Sequence, residues 1–162
     1  DTAVGPQYIL ANRNGRGADD FNFRHNSRFD WKVGGNPPTI KPFDISVQTP
    51  DELTIISPRS TSVILKNQDL RVQWTGNAKA IRLIISGLKG SDFQPLFQID
   101  LKNDGKDVII PAKILGLLPT GTYQTFVFSF INSNEAKVRV NEFPDEIFIV
   151  SSSVHNLVLV VQ

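Results

Sequence analysis

The chain contains no cysteine. This excludes a disulfide framework, a thiolate zinc site and a cysteine nucleophile, and it weighs against a disulfide-rich animal module more than against export. No apolar run approaches the length of a bilayer crossing. The longest are strand-sized, such as Val108-Ile109-Ile110 and Leu157 to Val161, so no transmembrane segment is expected. Neither sign of charge is in excess: 17 basic side chains stand against 16 acidic ones, and the balance holds from Asp51 onward. Nucleic-acid binders carry a pronounced basic field, so nucleic acid is excluded as an expected partner. Asn-x-Ser/Thr triplets are absent too, since Asn26 is followed by Ser27-Arg28 and Asn132 by Ser133-Asn134. That absence favours a bacterial over a eukaryotic secreted origin. The first residue is Asp1 rather than Met, which leads to the expectation of a processed or trimmed chain.

Catalytic chemistry is equally thin. The two histidines are His25, in a polar stretch with Arg24 and Arg28, and His155, which follows Ser151-Ser152-Ser153. A Ser-His-Asp triad drawn from Ser152 and His155 has no Gly-x-Ser-x-Gly turn to shape a nucleophile and an oxyanion hole. Asp104-Gly105 echoes a calcium loop beginning at Asp100, but Lys102 occupies the third ligand position and Pro111 the twelfth. Most acids fall in or beside turns, as Asp51-Glu52, Asp92 and Asp145-Glu146 do, rather than as a pair held across a glycosidase cleft. The chain is expected to be no enzyme and to need no cofactor. Asp19 and Asp20, beside Gly15, Gly17, Asn14 and Asn22, are the best cation candidates, and a plain solvated acidic pair explains them as well.

What is present is strand signal. A chain of 162 residues holds one substantial domain, or a smaller domain with an extension. From residue 53 onward, short period-two runs alternate with turn residues at the spacing of a β-sandwich. Leu70, Val72 and Trp74 share one face of a strand, Ile81, Leu83 and Ile85 one face of the next, and Phe126, Phe128 and Phe130 form a third inward row. Gly87 and Gly90 read as the turn after Ile85. Asn103-Asp104-Gly105, between Leu96 to Leu101 and Lys106 to Ile110, is the strongest hairpin signal. Ala112 to Leu115 reads as a single helical turn. Four further strands are expected, at Tyr123 to Ile131, Ala136 to Val140, Glu146 to Val150 and Val154 to Val161.

Residues 1–50 differ in texture, being rich in Asn, Arg, Gly and Pro, with Gly34-Gly35-Asn36-Pro37-Pro38 as a break. Tyr8 to Ala11, Phe29 to Val33 and the alternating Phe43, Ile45 and Val47 are strand candidates. The segment has too few apolar residues for a core of its own, so it is expected to pack, as a strand-and-loop extension, on a sandwich formed by residues 51–162. The alternative is a small independent domain.

Leu118-Pro119-Thr120-Gly121-Thr122-Tyr123 runs straight into the strand Gln124 to Phe130. A Pro/Gly turn followed by Tyr at the mouth of a strand is how immunoglobulin sandwiches round the corner between sheets, the Tyr hydroxyl bonding back to backbone. Together with Ile56-Ser57-Pro58, Leu70-x-Val72-x-Trp74-Thr75-Gly76 and Ile110-Pro111-Ala112, this makes the region from Ile55 to the C-terminus resemble the immunoglobulin-like and fibronectin-type-III-like modules of bacterial cell-surface proteins and lipoproteins. The opening part of that region is also similar to the Ig-like domain of Ser/Thr-rich fungal cell-wall proteins. No Cys pair flanks Trp74, so the antibody-type pattern is absent.

The fold expectation is therefore all-β, an immunoglobulin-like β-sandwich with an N-terminal strand-and-loop extension, in which Tyr123 and Trp74 are structural. The resemblance implies a non-catalytic interaction, adhesion or structural module of a bacterial envelope or secreted protein, located outside the cytoplasm, whose partner is a protein or glycan of the envelope. A carbohydrate-binding alternative rests on the segment 21–31, where Trp31, Phe29, Arg28 and Asn26 combine stacking rings with polar groups. Against it stands the reading in which Phe21, Phe23, Phe29 and Trp31 form the apolar face by which the extension packs on the sandwich. Arg13, Arg16, Arg24 and Arg28 form the one basic concentration, suited to a polyanion or to a solvated loop alike.

Overall fold

In the computed structural model, which describes residues 24–36, 41–78, 80–102, 105–140 and 146–162, two β-sheets close around one apolar core. The chain order is β1 (Arg28–Val33), β2 (Phe43–Gln48), β3 (Thr54–Ser57), β4 (Val63–Ile64), β5 (Leu70–Thr75), β6 (Ala80–Lys89), β7 (Asp92–Lys102), β8 (Asp107–Ile110), α1 (Ala112–Leu115), β9 (Thr125–Arg139) and β10 (Glu146–Val161). One sheet has the order β3-β5-β8 and the other β4-β10-β9-β6-β7, while β1 and β2 pair as a separate hairpin. Pairing is antiparallel throughout except between β4 and β10, which run parallel.

The core follows from period-two alternation. Leu70, Val72 and Trp74 of β5 face Ile81, Leu83 and Ile85 of β6, Phe126, Phe128 and Phe130 of β9, and Leu157 and Leu159 of β10, all of them buried. Each such side chain contributes about 1.5–3 kcal/mol by leaving water, and this drives the two sheets together. Among the described residues, the indole Nε1 of Trp74 is the single buried side-chain nitrogen or oxygen without a hydrogen-bond partner. The Trp74 side chain is therefore held by packing alone.

The extension's described part forms the hairpin β1–β2, with Phe29 opposite Val47, Trp31 opposite Ile45 and Val33 opposite Phe43. Ile45 and Val47 are buried, and β2 lies against β9 and β10. The hairpin's base is closed by the Thr49 N–H on the Ser27 carbonyl at 2.8 Å and the Ser27 N–H on the Thr49 hydroxyl at 2.9 Å. Tyr8 to Ala11, Phe21 and Phe23 lie outside the described residues.

Several expectations need correcting. The hairpin signal at Asn103-Asp104-Gly105 does not join paired strands: β7 pairs with β6 and β8 with β5, in different sheets. Local turn chemistry reverses a chain but does not choose its neighbour, and the edge of β5 took β8 by setting Leu70 opposite Ile110 and Val72 opposite Val108. The four C-terminal strands are two, because β9 and β10 run unbroken through Ser133-Asn134 and Ser151-Ser152-Ser153 and pair from Glu146 opposite Arg139 to Val160 opposite Thr125. Polar residues that read as turns lie here in a two-stranded arm, since β6 accompanies β9 only from Thr125 to Asn132. Finally, β6 does not stop at Ile85 but passes through Gly87 to Lys89, and the turn falls at Gly90, whose φ is +64°.

Candidate functional site

Where the hairpin, the Asn77 turn and the arm of β9 meet, the chain leaves a cleft of about 470 Å³. Its floor is organised by Asp51, in the linker between β2 and β3. One carboxylate oxygen accepts from Asn26 Nδ2 at 2.7 Å, and the other accepts from the Asn77 N–H and Asn77 Nδ2, each at 3.0 Å. Gly76 allows this turn to close: its φ is +94°, and a β-carbon there would stand 2.1 Å from the Glu52 carbonyl oxygen.

Behind Asp51, the buried amide of Asn132 donates to the carbonyls of Asp51 and Asn77, both at 3.0 Å. Two residues along β9, Asn134 Nδ2 donates to the Gln48 carbonyl at 2.9 Å and so ties the hairpin to the arm. Amides and carboxylates line the cleft beside Ser46 and the apolar Val47, Pro50 and Ala78, and among the described residues no Lys or Arg does. Such a surface hydrogen-bonds neutral hydroxyl and amide groups.

The four residues of the carbohydrate-binding expectation are not gathered onto one surface. Asn26 lines the cleft and is bound to Asp51. Phe29 and Trp31 sit on the face of β1 whose partners in β2 are Val47 and Ile45, Phe29 partly buried and Trp31 44 % exposed. Strand alternation sends Arg28 to the opposite face, where its Nε contacts Asp30 at 2.7 Å and a terminal nitrogen donates to the Ser46 hydroxyl at 2.8 Å. The Ser46 hydroxyl in turn donates to Asp30, and that bond, with the Arg28 guanidinium, lowers the Asp30 carboxyl below its ordinary pKa. Asp19 and Asp20 lie outside the described residues, as do Arg13 and Arg16. Among the described residues no group of His, Asp and Glu has the arrangement of a metal site.

Elsewhere three carboxylates have structural partners: Asp69 accepts the Ala112 N–H at 2.7 Å, Asp100 meets Arg82 at 2.9 Å, and Asp107 pairs with Arg71. Ser152 and His155 project from opposite faces of β10, three residues apart in an unbroken strand, so they cannot share a proton. No residue of the cleft except Asn26 was singled out from sequence. Asp51, Asn77, Asn132 and Asn134 carry no motif, and only the meeting of four distant segments makes them neighbours.

Tyr123 is buried, as the corner motif requires, but its hydroxyl does not return to the corner's backbone. It donates to the side-chain oxygen of Gln94 in β7. The corner is closed instead by its own main chain, the Pro119 carbonyl accepting from Thr122 at 2.9 Å and Tyr123 at 3.0 Å. No family model, no curated protein and no solved structure matches this chain.

Proposed function

We propose that this chain is a non-catalytic, immunoglobulin-like interaction or structural module of a bacterial envelope or secreted protein. The observation that carries the reading is the strand order. The chain crosses between sheets from β3 to β4, from β4 to β5, from β5 to β6, from β7 to β8 and from β8 to β9, in the manner of a Greek-key sandwich. A buried Tyr123 stands just before β9, at the end of the last of these crossings. The partners taken by Asp51, Asp69, Asp100 and Asp107 give these carboxylates structural work, which supports a scaffold rather than an active site. Fractionation of the source organism with an antibody against this chain tests it. The protein is expected in the envelope or the medium, and a purely cytoplasmic pool overturns the proposal.

The carbohydrate-binding reading keeps one favourable observation, the amide-lined cleft together with an exposed Trp31 that does not line it. A glycan array distinguishes the two places. Binding lost in Glu135→Ala with Trp31→Ala unaffected assigns the cleft, the reverse assigns the hairpin, and no binding leaves the first reading alone.

A further inference from the structure

The long strand β10 is an edge over most of its length. β4 covers it only at Val160 and Val161, and among the described residues nothing pairs with its outer side from Glu146 to Asn156. The direction of its backbone groups can be read from its covered end. The Val160 and Gln162 N–H groups donate outward to the Ser62 and Ile64 carbonyls, whereas the Val161 N–H donates inward to Gln124. The register with β9 has no break, so the same parity holds along the strand. Phe148, Val150, Ser152, Val154 and Asn156 therefore point their main-chain donors and acceptors out of the sheet edge.

Those residues also carry the exposed apolar surface: Phe148 is 52 % exposed, Val150 58 % and Val154 54 %. Open edges are ordinarily protected by charge, proline or a bulge. The other edge of the same sheet, β7, has all three, with Asp92 and Asp100, Pro95, and a register shift opposite Ile85/Ser86. From Ile147 to Asn156, β10 has no acidic residue, no Lys or Arg, no proline and no bulge.

We propose that this edge pairs with the same edge of a second copy of the chain, antiparallel, about a two-fold axis at Ser151, joining the two five-stranded sheets into one. In that register Phe148 of each copy lies opposite Val154 of the other, Val150 opposite Ser152, and Glu146 opposite Asn156. Two aromatic–aliphatic pairs form and no like charges meet. The outward parity makes the Phe148–Val154 and Val150–Ser152 pairs the hydrogen-bonded ones, on the order of ten main-chain bonds in all, and leaves Ser151 facing itself as a non-hydrogen-bonded pair with Cα atoms about 4.5 Å apart. β7 has no comparable self-match, because antiparallel pairing that sets Asp92 against Asp100 opposes carboxylates, and Pro95 offers no donor. An interface that is its own complement selects a second copy over an unrelated strand.

The experiment is sedimentation of the full chain over a concentration series, with three variants. A monomer–dimer equilibrium is expected. Val154→Lys and Ser152→Pro, which change only the outward side of the edge, are expected to weaken it at least about tenfold while leaving the thermal transition of the monomer in place. Because the chain has no other cysteine, Ser151→Cys is expected to oxidise to a covalent dimer and Ser153→Cys is not. A parent that stays monomeric throughout, a dimer indifferent to both edge variants, or cross-linking through Ser153→Cys in preference to Ser151→Cys overturns the proposal.

Discussion

The ring of Tyr123 lies on the backbone of Gly87, so close that a β-carbon at position 87 would stand 2.6 Å from the ring's Cγ and 2.7 Å from Cδ1 and Cδ2. A strand glycine leaves a gap in the pleated surface, and here an aromatic side chain from the corner before β9 fills it. The ring also meets Phe126 edge-on, with centroids 6.1 Å apart, which locks the start of β9 to the end of β6.

Gly87→Ala is therefore expected to destabilise the fold by about 1–3 kcal/mol, the usual cost of overpacking. Most of that loss should vanish in a Tyr123→Ala background, since the two changes act on one contact. Urea denaturation of the four chains of the cycle measures it, and additive losses would show that the ring does not occupy the space over Gly87.

Tyr123→Phe is expected to cost about 0.5–1.5 kcal/mol through the lost hydrogen bond. Because the acceptor is the Gln94 side chain, Gln94→Ala should produce a loss of the same order, and adding Tyr123→Phe to it should add little further. If Gln94→Ala leaves the hydroxyl's contribution intact, the acceptor is backbone of the corner and the sequence expectation stands.

Asn132→Ala removes the donor shared by the Asp51 and Asn77 carbonyls. The expected cost is about 1–3 kcal/mol, the range for leaving buried polar groups unpaired, with faster amide exchange in the Asn77 turn. Unchanged exchange there would mean that the floor of the cleft does not depend on this amide.

Trp74→Ala should cost about 3–5 kcal/mol, as large-to-small changes in a core do. Trp74→Phe should cost far less, because the phenyl ring keeps most of the packing and the buried N–H that it gives up has no partner to lose. Equal losses in the two variants, measured by urea denaturation, would contradict packing as what the side chain contributes.

Acid should act on the hairpin's outer face before it acts on the core. The folded-state pKa of Asp30 is lowered by the Ser46 hydroxyl and by Arg28, so its contribution is present above the ordinary carboxylate pKa of about 3.9 and is lost as pH falls through the lower folded value. The group is exposed, so the expected change is local. Amide shifts in residues 28–48 should move at pH values where those of Leu83, Phe128 and Leu159 do not, and a simultaneous shift of both sets would contradict it.

The alternation of Leu70, Val72 and Trp74, of Ile81, Leu83 and Ile85, and of Phe126, Phe128 and Phe130 was by itself enough to determine an all-β chain and to name most of its core, because a period of two has one way to bury its apolar face. The helical turn at Ala112–Leu115 and the strands at Phe29 to Val33 and Phe43 to Val47 were legible for the same local reasons. Pairing was not. Asn103-Asp104-Gly105 signals a reversal, yet which strand accepts β8 depends on the free edge of β5, a property of the assembled sheet. Ser151-Ser152-Ser153 has the composition of a turn and remains strand because β9 supplies its ladder. The cleft and the open side of β10 belong to this second class: Asn26, Asp51, Asn77 and Asn132 come from four separated segments, and an edge exists only relative to the strands that could have covered it. Sequence determined which residues turn inward; only tertiary structure decided which backbone groups were left facing out.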